Sequence, residues 1–161
     1  MALRPMTLPL GLRRATHEDG DTITRASAGW PACITQRSWR QWLASDTHFV
    51  YLLEQDRLEG CLAMTPSESF ISGRQAVELL VWYITATSRD QRWGRKLLVH
   101  GISGARRLAG DDLVCWIHEA DKASSAELLR HGFKCQMQRE TFIGQDLRRE
   151  EGWLLDISGY F

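Results

Sequence analysis

Glu78-Leu-Leu-Val-Trp-Tyr-Ile-Thr-Ala-Thr-Ser-Arg-Asp-Gln-Arg-Trp-Gly-Arg-Lys-Leu-Leu98 is the stretch of this 161-residue sequence whose reading decides the fold. Ala76 to Ile84 is apolar on both faces except at Glu78, the pattern of a central strand covered on both sides. Thr85 to Trp93 is polar and turns the chain, and a helix opens at Gly94. Leu97, Leu98, Ile102, Ala105, Leu108 and Ala109 then recur at three- and four-residue steps and draw one apolar stripe. Gly101 and Gly104 interrupt that helix at a cost of about 1 kcal/mol each, which close packing against a sheet would offset. Gly110 is the expected stop. A strand that feeds a basic, glycine-containing turn at a helix start suits phosphate, because the free N–H groups of the first turn and the helix dipole both face the anion. Arg89, Arg92, Arg95 and Lys96 gather four cations there; the alternative is a solvated basic helix start.

Upstream, Leu10 to Ala15 reads as a short strand, and His17 to Ala28 as a helix capped by Thr16 with Glu18, Asp19 and Asp21 in its first turn. Pro31 breaks the chain before a second helix, Ile34 to Ala44, which sets Trp39, Trp42 and Leu43 on one face. Phe49 to Leu53 and Gly60 to Met64 form a hairpin about a turn at Gln55 to Leu58, and Pro66 to Arg74 is a loop. Downstream come a strand at Leu113 to Ile117, a helix from Asp121 to His131 closed by Gly132, and strands at Phe133 to Phe142 and Trp153 to Ile157. The sum is an α/β (α+β) chain with a mixed, mostly antiparallel sheet of about seven strands flanked by four helices. One domain over 1–161 is expected, with 1–9 a flexible leader.

Lys plus Arg and Asp plus Glu number 20 each, which argues against non-specific binding of nucleic acid or an anionic membrane. No window approaches a membrane-spanning apolar run, and Met1 to Leu10 is too broken for a signal segment, so a cytoplasmic protein is expected. Four cysteines lack metal-ligand or C-x-x-C spacing; Cys61, Cys115 and Cys135 read as small buried hydrophobes, and no metal is expected.

Arg89-Asp-Gln-Arg-Trp-Gly94, followed by Arg95-Lys-Leu-Leu98, resembles the acyl-CoA-binding motif of the GNAT (GCN5-related N-acetyltransferase) superfamily, R/Q-x-x-G-x-G/A leading into a helix. Arg92 stands where that motif has its first glycine. Asp121-Lys-Ala-Ser-Ser-Ala-Glu-Leu-Leu-Arg-His-Gly-Phe133 is similar to the family segment beside the CoA thiol, with Asp121 for the usual Asn and Leu128 for the usual Tyr.

The resemblance implies a GNAT-like fold and direct transfer of an acetyl group from acetyl-CoA to a primary amine, on a small molecule or a protein, by a monomer or homodimer. Its alternative is a degenerate module that binds CoA or a partner without catalysis. Trp82, Tyr83 and Ile84 would pair with pantetheine, and Arg89, Asp90, Gln91, Arg92, Trp93, Gly94, Arg95 and Lys96 would hold the pyrophosphate. Glu78 is the candidate base, a lone carboxylate on an apolar strand. Leu128 cannot donate a proton, so Ser124, Ser125, Tyr83 or Tyr160 is the candidate acid, and His118 a second base or substrate contact. Trp30, Trp39 and Trp42 are either core or the wall of an acceptor site.

Overall fold

The computed structural model describes residues 11–31, 39–85 and 92–160. Seven strands form one sheet: β1 (Gly11–Arg14), β2 (Phe49–Glu54), β3 (Leu58–Glu68), β4 (Gln75–Ile84), β5 (Asp112–His118), β6 (Lys134–Ile143) and β7 (Asp146–Asp156). Their order across it is β1-β2-β3-β4-β5-β7-β6. β4 and β5 run parallel, while β1 with β2, β5 with β7 and β6 with β7 are antiparallel. Four α-helices lie among the described residues: α1 (Gly20–Ala26), α2 (Trp39–Ala44), α3 (Trp93–Arg107) and α4 (Lys122–Arg130). The leader 1–9 and the first part of the helix expected from Ile34 lie outside the described residues. No helix among those described is long and apolar enough to cross a membrane.

The chain divides into two compact units, each drawn from separate stretches of sequence: Met1–Ala63 with Val81–Leu98, and Met64–Leu80 with Val99–Phe161. In the first, β1 passes into a 3-10 turn, His17–Asp19, where the Thr16 N–H donates to Asp19 Oδ2 at 2.7 Å and so starts the helical segment. α1 ends at Ala26 rather than Ala28: the Ser27 N–H still bonds to Ile23 O, but the Ala28 N–H turns to Arg25 O, three residues back. A Cβ on Gly20 would stand 3.1 Å from Arg40 Cγ, so glycine lets α2 lie close to α1. Ile23, Trp39, Leu52, Leu53, Cys61, Leu62, Leu97 and Leu98 are buried core.

In the second unit, Ile102, Ala105, Leu113, Phe133 and Ile157 are buried, and Ala76, Val114 and Leu154 cluster beside Phe70. Gly152 makes room for the edge-on pair Phe70–Trp116, since a Cβ there would meet Phe70 Cζ at 2.8 Å and Trp116 Cη2 at 3.0 Å. Fully buried Asp112 accepts from Ser69 Oγ at 2.6 Å and from Arg74 Nε and Nη2 at 2.9 and 2.8 Å, which fastens the segment between β3 and β4.

Several expectations are corrected. β3 runs through Pro66 to Glu68, where a loop was expected, with its exposure alternating from Thr65 onward as in a strand with one face in solvent. β7 begins at Asp146 instead of Trp153; its polar first half is held to β6 by ion pairs such as Arg139–Glu150 and Arg149–Glu140. Cys61 is buried and Cys115 half-buried, but Cys135 is exposed, because β6 is an edge strand that is exposed along most of its length.

Gly110 is not the left-handed stop of α3. Ala109 holds that conformation at φ +59°, with Ala109 N–H bonded to Arg106 O and Gly110 N–H to Ala105 O, both at 3.0 Å. Gly110 is glycine for space, since a Cβ would stand 3.0 Å from Ala105 O and from Val77 Cγ2. α4 ends by the same bonding, with Gly132 at φ +94° and Phe133 N–H bonded to Leu128 O.

Candidate functional site

Residues expected to meet acyl-CoA lie in the first unit, at the end of β4 and the start of α3. Trp82 Nε1 donates to Gly94 O at 3.1 Å and so ties the first turn of α3 to the strand. α3 starts at Trp93, one residue before the expected Gly94, and Arg92 caps it: its carbonyl accepts the Lys96 N–H at 3.3 Å. Arg92 has φ +58°, the left-handed region that favours glycine. The residue that departs from the motif thus stands in a backbone conformation that favours glycine.

Gly94 is different. It lies outside that region, and an added Cβ would find nothing closer than Ile84 Cγ1 at 3.7 Å, an ordinary contact. Neither backbone nor packing requires glycine there, since a Cβ would make only ordinary contacts with Ile84 and Trp82, and a missing Cβ at a helix N-terminus lets a phosphate come close to backbone N–H groups. Lys96 Nζ rests over the Trp93 ring at 4.5 Å, and Arg92 is exposed. Arg89, Asp90 and Gln91 lie outside the described residues.

Sequence reasoning missed the other side of the β4 end. Glu59 on β3 is 6% exposed, accepts from Thr85 Oγ1 at 2.5 Å and from Arg57 Nε at 2.9 Å, and its carbonyl accepts the Thr85 N–H at 2.8 Å. Beside it, a Cβ on Gly60 would collide with Ile84 Cδ1 and Tyr83 O, each at 2.7 Å. A lone Glu heading the apolar run Leu58 to Met64 was the available signal.

Among the three tryptophans considered for an acceptor wall, Trp39 is buried and Trp42 packs edge-on against it while stacking on His48. Half-buried Trp30 packs on Tyr83 with ring centroids 4.6 Å apart.

The candidate acid–base residues lie in the second unit. Glu78 is half-buried on β4 and pairs in register with Val114 of β5. The nearby Cys115 thiol is pushed up to about 12, by burial first and then by the carboxylates of Glu78, Asp121 and Glu150. His118 Nδ1 accepts the Ala120 N–H at 3.0 Å, so the neutral ring carries its proton on Nε2. Asp121 caps α4: Oδ1 accepts the Ser124 N–H at 3.0 Å and Oδ2 the Ser124 hydroxyl at 2.6 Å. Ser125 Oγ donates to Lys122 O at 3.1 Å. Leu128 is buried in the α4 end, and the Tyr160 carbonyl accepts from Arg106 in the last turn of α3.

No family model matches the sequence, and no curated protein matches it either. Solved structures match over nearly the whole chain. NAA60 of Arabidopsis thaliana, in complex with a bisubstrate analogue, superposes with a TM-score of 0.74 at 11% identity, covering 91% of this chain and 97% of that one. The ribosomal-protein-alanine N-acetyltransferase of Brucella melitensis gives 0.70 at 21% identity, covering 91% and 99%. The yncA protein of Salmonella typhimurium, solved with its cofactor acetyl-CoA, gives 0.67 at 21% identity, covering 92% and 94%. At these identities the likeness is one of fold.

Proposed function

From the GNAT acetyltransferase fold that this chain carries, we propose that it is an acyl-CoA-dependent N-acyltransferase acting on a primary amine. The observation that carries the reading is Gly94. It sits in the first turn of α3, is tied to β4 through Trp82, and lacks a Cβ that neither its conformation nor its packing forbids. That space and the N–H groups of the helix start fit a pyrophosphate, with Arg92, Arg95 and Lys96 supplying positive charge. Acetyl-CoA, when bound, supplies the thioester whose acyl group is transferred.

Glu78 takes the proton that the acceptor ammonium must lose before its nitrogen attacks the carbonyl carbon. The new N–C bond forms as the C–S bond breaks, and the thiolate receives a proton from a donor or from water. His118, with Nδ1 engaged and its neutral-state proton on Nε2, suits a hydrogen bond to the substrate better than a base role. Ser124 gives its hydroxyl proton to Asp121, which leaves it a weak choice of acid.

Those last points favour a second reading, a CoA-binding module without turnover. Acetyl-CoA titrated into the wild-type protein by calorimetry, followed by an amine-acceptor screen, separates the two. Micromolar binding with acetylated product that Glu78→Gln lowers about a hundredfold or more supports the enzyme. Binding without product on any amine class supports the module, and no binding by folded protein overturns both.

A further inference from the structure

We propose that Glu59 is a positioning residue that holds the end of β4 in the register needed to bind acyl-CoA. The proposal rests on the function just given and on the expected pairing of Trp82, Tyr83 and Ile84 with the pantetheine arm. Three separate features of β3 converge on the last residues of β4. The Glu59 carbonyl takes the Thr85 N–H at 2.8 Å, its carboxylate takes the Thr85 hydroxyl at 2.5 Å, and Gly60 removes the Cβ that would strike Tyr83 O and Ile84.

A carboxylate left 6% exposed carries a desolvation cost, and an apolar residue of similar size often replaces a buried charge without loss of stability. Stability alone is therefore a poor reason for an acid here. Geometry is a better one. With Arg57 Nε on Oε1 and Thr85 Oγ1 on Oε2, both oxygens are engaged and the side chain has one orientation. Thr85, fixed by its amide and its hydroxyl together, pins the strand one residue past Ile84, where the chain leaves the sheet. A backbone that must offer its groups to an extended ligand loses affinity when its register loosens.

Glu59→Met keeps the length but removes both acceptors, the one for Arg57 Nε and the one for the Thr85 hydroxyl. Thr85→Val keeps the shape and the N–H but removes the hydroxyl. Thr85→Ser restores it. Acetyl-CoA dissociation constants from calorimetry, KM for each substrate, kcat, and thermal midpoints are measured on all four proteins. The expected result is a rise of about tenfold in both the dissociation constant and KM for acetyl-CoA in Glu59→Met and Thr85→Val. Acceptor KM and kcat at saturation stay within about twofold, and Thr85→Ser behaves as wild type.

Wild-type binding with unchanged affinity in both variants overturns the positioning role and leaves the function intact. Affinity that falls only in step with the thermal midpoint, without recovery in Thr85→Ser, also overturns it, because the pair then only supports the fold. If wild type itself does not bind acetyl-CoA, the function fails first and the positioning role with it.

Discussion

Arg92 and Gly94, two residues apart, reverse what their chemistry prefers. Arg92 holds φ +58°, which costs a side-chain-bearing residue about 1 kcal/mol or more, whereas Gly94 has a conformation and surroundings that alanine would accept. Arg92→Gly is therefore expected to raise stability by about 1 kcal/mol, a thermal shift of about 2–4 °C. Gly94→Ala is expected to raise it by about 0.5 kcal/mol through helix propensity, while weakening acetyl-CoA binding. Thermal melts and calorimetry on both variants check this. If Gly94→Ala binds acetyl-CoA as tightly as wild type, the space at Gly94 is not used by the ligand. Motif spacing made Gly94 and the helix start legible in the sequence. The strain at Arg92 and the bond from Glu59 to Thr85 were not, since one is a backbone angle and the other joins residues 26 apart.

Elements were legible where burial set the period. β2, β4 and β5 fall within about a residue of their expected bounds because apolar alternation or an apolar run defines them. β7 was truncated in the sequence reading because Asp146 to Glu151 is polar and gains strand structure by pairing with β6, with ion pairs across the two strands, which no local apolar pattern carries. Helix ends show the same divide. Gly132 was read correctly as a stop because its left-handed position coincides with a glycine, whereas α3 places Ala109 there and uses Gly110 for clearance. Ala109→Gly should accordingly stabilise the protein by about 1 kcal/mol, and Gly132→Ala should destabilise it by about 1–2 kcal/mol, in urea titrations. Equal effects of one sign from the two changes would show that the φ values do not govern these helix ends.

Over the whole molecule, 20 basic and 20 acidic side chains leave little net repulsion near neutrality, so response to acid falls to individual carboxylates with partners. Asp19 is the clearest. Arg13 donates to both of its oxygens, at 2.7 and 2.9 Å, and reaches Glu54 as well, which joins β1, β2 and the turn before α1. These bonds, chiefly those from Arg13, lower Asp19 from 3.8 to about 2. Asp156 in the other unit is also lowered, by Ser158 first and then by Arg74. A carboxylate depressed on folding contributes stability that is fully present above its unfolded value and lost as pH falls through its folded one. For Asp19 that window runs from 3.8 down to about 2. The Arg13 side chain is 41% exposed, so solvent screening reduces the contribution to about 1 kcal/mol. Asp19→Asn is thus expected to lose about 1 kcal/mol in urea titrations at pH 7, with the gap to wild type closing between about pH 4 and pH 2. Added salt should narrow the gap at pH 7. A gap that stays constant down to pH 2 would mean that Arg13 contributes by packing its side chain and not by its charge.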